Sequence, residues 1–158
     1  MTVIAYKDGF LAAESRITLY GEKDKGTCCF DRSPKLFRKF AGTPRECIIG
    51  TAGESDPGNK FIAWYGERKS KKCPEMKGAH LLVLDSSGLW EWDGSDTPDQ
   101  VLDDYYAVGC ATKIALGALF IPGVTAEQAV HACIAHDPYC GGKVIAWKLG
   151  DGQVISWK

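Results

Sequence analysis

What this sequence does without narrows its function early. No apolar run approaches the roughly 20 residues needed to span a bilayer, so no membrane role is expected. The first residues carry no basic region followed by a long apolar stretch, and no signal peptide is expected. Neither sign of charge dominates: 19 Lys and Arg against 20 Asp and Glu leave a net charge of −1. No global field therefore favours nucleic acid or an acidic lipid surface. The one basic stretch, Arg68 to Lys72 beside Trp64 and Tyr65, matches no nucleic-acid motif and reads as a solvated loop. Internal repeats and low-complexity segments are missing too.

Cysteine is present but has no framework. The chain holds 7 of them, an odd number at irregular spacing, which points to reduced thiols in a cytoplasm-like compartment. No Cys-x-x-Cys pair occurs. The cluster His131, Cys133, His136 and Cys140 offers zinc-binding residue types. On a helix, however, positions 131 and 133 point about 160° to 200° apart and cannot share a ligand set. No cofactor and no metal are expected.

What is there reads as one domain over residues 1–158, a length sufficient to bury a real core. Val3 to Tyr6 and Phe10 to Ser15 alternate around Asp8-Gly9, a two-residue hairpin signal. Extended segments follow at Arg16 to Tyr20, "TCCF", "KLFRKF" and the apolar "ECIIGTAG", with a polar loop at residues 21–26. A helix is predicted over about residues 57–67, with Asp56 as its cap and Pro57 at its first position. "HLLVLDSSGLWEWDG" reads as a second hairpin turning at Ser86, Ser87 and Gly88, and residues 94–103 as an acidic connection. "YYAVGC" leads into a helix from Ala111 to Phe120, broken by Pro122-Gly123. Thr125 and Gln128 form a capping-box pattern for a further helix, and "KVIAWKLGDGQVISWK" closes the chain as two strands about Gly150 to Gly152. Hairpin strands with segregated helices predict an α+β fold.

Thr2 is the first residue of chemical interest. Methionine aminopeptidase removes Met1 when a small residue follows, which gives Thr2 a free α-amine. Such an amine has a pKa near 8 and can act as base for its own hydroxyl. Five further stations recur in order: "AAESR" (Ala12 to Arg16), Lys35-Leu36, "IIGTAGE" ending near Gly53, Gly109-Cys110-Ala111, and "HDPYCGG" (His136 to Gly142). Together they resemble the β-subunits of proteasomes and the peptidase subunit of their bacterial ATP-dependent relative. In that family an N-terminal threonine is followed by "AADSR", a strand lysine, an oxyanion-hole glycine, "GSG" and "RDxxSGG".

The resemblance implies the N-terminal nucleophile fold, a four-layer αββα sandwich. It implies Thr2 as nucleophile on polypeptide substrates and Lys35 as the cation beside it, held by Glu14. Asp137 would orient the terminal amine, the Gly53 N–H would face the oxyanion, and Cys110 and Cys140 would occupy the family's two serine positions. It further implies a homo-oligomeric ring, with an ATPase unfoldase as a conceivable partner. Three departures stand out. Thiols replace both serines, Glu14 replaces a shorter aspartate, and only 24 residues separate Gly53 from Gly78, where the family fits two helices. An inert ring-forming subunit of the same fold, or an amidase with the same nucleophile, are the alternatives.

Overall fold

Val3, Ile4 and Ala5 are all fully buried, although neighbours on a strand point to opposite faces. Their strand, β1 (Val3–Lys7), is therefore covered on both sides, and the architecture follows from how. The computed structural model describes residues 2–20, 27–67, 72–95, 97–151 and 155–157. Met1, the polar loop at 21–26, the basic residues 68–71 and Gly152 of the last turn lie outside them.

The strand turns at Asp8-Gly9 into β2 (Phe10–Ala13). Both turn residues have positive φ, +53° and +80°, as a type I′ hairpin requires. Strands β3 (Ile17–Tyr20) and β4 (Thr27–Phe30) form a separate two-stranded ribbon. Next come β5 (Leu36–Lys39), β6 (Cys47–Gly53), helix α1 (Ser55–Glu67), β7 (Ala79–Asp85), β8 (Gly88–Trp92) and β9 (Asp99–Val101). The chain ends with β10 (Tyr105–Gly109), helices α2 (Thr112–Leu119) and α3 (Ala126–His136), and strands β11 (Val144–Lys148) and β12 (Ile155–Trp157).

These strands build two antiparallel five-stranded sheets, ordered β10-β1-β2-β11-β12 and β5-β6-β7-β8-β9. Ile4, Leu11 and Ala13 of the first sheet meet Leu36, Ile48, Leu82 and Leu84 of the second. Val3, Ala5 and Ala146, on the opposite face of the first sheet, pack under α2 and α3 against Leu119, Val130 and Cys133. On the outer face of the second sheet, Ile49, Leu81 and Val83 meet Phe61, Ile62 and Tyr65 of α1. The layers run helix, sheet, sheet, helix: the predicted αββα fold.

Two local details depart from the sequence reading. Helix α1 begins at Ser55, so Asp56 is no cap; it lies in the first turn and pairs with Lys60 at 2.6 Å. Residues 99–101 form an edge strand that the acidic composition of the segment concealed, an edge being where charge is tolerated. Helices α2 and α3 start at Thr112 and Ala126, and the second carries the predicted capping box, with Thr125 and Gln128 bonding reciprocally at 2.9 and 3.3 Å.

Among the described residues a single helix covers the second sheet, as the short interval between Gly53 and Gly78 predicts, where the resembled family fits two. Buried Met76, from the segment after α1, helps fill the space, and Phe61 lies 5.0 Å from Trp92 in an edge-on ring contact. Phe61 is thus the main apolar bridge between α1 and its sheet. Phe61→Ala is expected to cost about 3–5 kcal/mol, measured by urea unfolding followed by far-UV circular dichroism. A loss below about 1 kcal/mol would show that α1 contributes little to the core.

Candidate active site at the head of the first strand

Thr2 precedes β1 and is only 3% exposed. Its carbonyl accepts a hydrogen bond from the Cys110 amide at 2.9 Å, just past the end of β10. Gly109 makes this approach possible. Its φ is +111°, and a Cβ there would lie 1.9 Å from the Thr2 oxygen. Position 109 must be glycine for Cys110 to sit beside the terminus.

Glu14 follows directly after β2 and is almost fully buried. Its Oε2 accepts from the Arg16 amide at 2.5 Å and from the Gly141 amide at 3.4 Å, and the Val3 amide dipole also favours its charged form. Its Oε1 is buried without a hydrogen-bond partner among the described residues. Desolvation dominates and pushes the carboxyl up to about 7; these amides and the charge of Lys35 pull the other way. Burial holds the Lys35 ammonium below its ordinary range, opposed by the charge of Glu14. The two attract each other, but no direct ion pair joins them. The expected contact is replaced by attraction at longer range.

The guanidinium of Arg16 turns away from Glu14. It donates from Nε and Nη2 to Asp31 at 2.7 and 3.1 Å, and from Nη1 to the Pro138 and Cys140 carbonyls at 3.1 Å each. A Cβ on Gly141 would collide with this group, its Cζ lying 2.2 Å away. The "SR" of the first motif and the "CGG" of the last are therefore two halves of one clamp.

That clamp holds the turn bearing Asp137 and Cys140. Asp137 caps the C-terminal end of α3; its carbonyl accepts from the Cys140 amide at 3.0 Å and its Oδ1 from the Tyr139 amide at 2.8 Å. Cys140 is buried and its Sγ lies 3.9 Å from that of exposed Cys110. Hydrogen bonding to Cys140 lowers the Cys110 thiol below its usual range, and the same bond with burial raises Cys140. The side chains of Cys110, Asp137 and Cys140 converge within 4.8 Å of one another.

Thr2, Gly53, Gly109 and Cys110 share a cavity of about 400 Å³. Gly53, at the end of β6, has φ +88°, and a Cβ on it would meet the Gly78 carbonyl at 2.2 Å. The glycine is thus demanded by β7 at least as much as by any ligand. Across the cavity, the Tyr106 hydroxyl of β10 donates to Glu91 Oε2 of β8 at 2.6 Å, linking the two sheets. This bond pushes the phenol up to about 12. Sequence reasoning missed this pair. The available signal was parity: Leu89 faces the first sheet, so Glu91, two residues on, faces it as well.

Glu14 keeps its proton to higher pH when folded than when unfolded, so the folded state binds the extra proton between pH 4.5 and about 7. Stability must fall with rising pH across that window, the unfavourable burial being fully felt only above it. Glu14→Gln is expected to remove a pH-dependent loss of up to about 3 kcal/mol, read from urea unfolding of both proteins at acid and alkaline pH. Parallel stability profiles would show that the carboxyl is hydrated.

No family model and no curated protein matches this sequence. Solved structures do. A eukaryotic HslV from Trypanosoma brucei superposes with a TM-score of 0.61 at 18% identity, covering 94% of this chain and 98% of that one. A Thiobacillus denitrificans BPH in complex with epoxomicin gives 0.60 at 15% identity, covering 95% and 99%. A second structure of that BPH gives 0.55 at 15% identity over 94% and 98%. The chain therefore has the fold of the HslV and proteasome-like peptidase subunits, over nearly its whole length.

Proposed function

We propose that the chain is a threonine-type endopeptidase of the proteasome family, working as a homo-oligomeric ring in the cytoplasm on polypeptide substrates. Thr2 is its nucleophile once Met1 is removed. The observation that carries this reading is the convergence at the head of β1. Thr2 lines a cavity with Gly53 and Cys110, while the amide dipole of Val3, the next residue, acts on Glu14, which feels the charge of Lys35.

In this reading the Thr2 Oγ attacks the peptide carbonyl and its own α-amine takes the proton. Lys35 is the cation that favours an alkoxide-like oxygen, and its depressed ammonium suits that role. Glu14 balances Lys35 by attraction without direct contact. The Gly53 N–H is the donor for the oxyanion, a contact type worth about 2.7–4 kcal/mol in a transition state. Asp137 and the thiols of Cys110 and Cys140 border the amine. Exposed Phe120 and Ile121, between α2 and α3, suit contact between neighbouring copies.

One observation favours a second reading, an inert ring-forming subunit. The Cys140 thiol pairs with that of Cys110, so the hydrogen-bonding pair that two serines would offer is partly self-satisfied.

Intact mass after treatment with a peptide epoxyketone separates the two, since this electrophile needs a hydroxyl and a free amine on one residue. One adduct per chain is expected on the protein lacking Met1 and none on Thr2→Ala. A Met1-free protein that stays unmodified would support the inert subunit.

A further inference from the structure

The Cys110, Asp137 and Cys140 side chains have more order than a relay through Thr2 requires. Two thiol sulfurs lie 3.9 Å apart, and a carboxylate oxygen lies within 4.8 Å of both. Tetrahedral zinc with Zn–S bonds of 2.3 Å holds two thiolates about 3.8 Å apart, so the sulfurs already stand at a chelating separation. A disulfide would need them to close to ~2.0 Å. Asp137 and Cys140 are also spaced as Asp-x-x-Cys, the chelating interval of zinc turns with a carboxylate in place of one thiolate.

The surroundings hold these groups where they are. The Cys140 amide bonds the Asp137 carbonyl, and Arg16 grips the Pro138 and Cys140 carbonyls from behind. The Tyr139 amide donates to Asp137 Oδ1, which fixes the carboxylate plane. Cys110 is anchored through its amide to Thr2. These contacts are backbone or guanidinium bonds that a bound ion would leave intact.

We infer that Cys110, Cys140 and Asp137 form a binding site for a thiophilic divalent cation of the zinc type. Of the three ligands, Cys110 also lines the cavity that Thr2 borders. Binding forms two metal–sulfur bonds and one metal–carboxylate bond, and the two thiol protons leave to solvent; nothing is oxidised or reduced. The site differs from the His131, Cys133, His136 and Cys140 set of the sequence and revises the expectation of no metal. It stands on its own geometry, whether or not Thr2 is a nucleophile.

The test is titration of the reduced full-length protein with cobalt(II), which reports thiolate ligation through a charge-transfer absorption. One equivalent should produce the band, and one equivalent of zinc should abolish it. Cys110→Ser and Cys140→Ser should each remove it, while Asp137→Asn should weaken binding by at least roughly tenfold. Circular dichroism checks that each variant is folded, and Thr2→Ala, which keeps all three ligands, should retain the band. No band in the reduced wild-type protein overturns the inference. So does a band that survives in folded Cys110→Ser, or a reduced mass two hydrogens lighter after air exposure with no cobalt uptake.

Discussion

Everything in this molecule depends on the double-sided burial of β1. Ile4 reaches the second sheet while Val3 and Ala5 reach the helices, so the strand, like β2, β10 and β11 of its sheet, is in contact with the cores on both faces. A residue at the head of such a strand is positioned by the whole fold. The carbonyl of Thr2 is locked to the Cys110 amide. Precision at the terminus is thus a by-product of core packing, and it requires no dedicated loop.

A second consequence concerns charge. Glu14 is buried where the family has a shorter acid, and the cost appears as a carboxyl raised to about 7 with an oxygen that finds no hydrogen bond. Lys35 offsets part of that cost without touching it. The carboxylate meets the Arg16 and Gly141 amides, so the partners in contact with it are backbone dipoles rather than a cation. Backbone amides stabilise a carboxylate, but they carry no net charge and are weaker partners in a dry site.

Much of the fold was legible because local signals agreed with one another. Asp8-Gly9, the Thr125 capping box and the alternation of β1 and β2 each depend on neighbours in sequence, and each appears where the pattern puts it. The edge strand at residues 99–101 was not legible, because its pairing with β8 comes from tertiary context and its acidic composition argues for a loop. Within the site, Thr2, Gly53 and Cys110 follow from motif order and do meet in one cavity. The Tyr106–Glu91 bond was hidden because it joins strands of different sheets, and no spacing along the chain encodes it. The role of Arg16 was hidden for the same reason, since its carbonyl partners lie more than 120 residues away.

That last separation carries a temporal meaning. The Arg16 clamp draws on residues 16, 31, 138 and 140, and Thr2 is flanked by a residue from position 110. A ribosome must complete nearly the entire chain before these groups can meet, and contacts so distant along the sequence form late and together. A nascent fragment therefore has no assembled site at all. The long reach of one arginine thus ties the arrangement around Thr2 to completion of the whole fold.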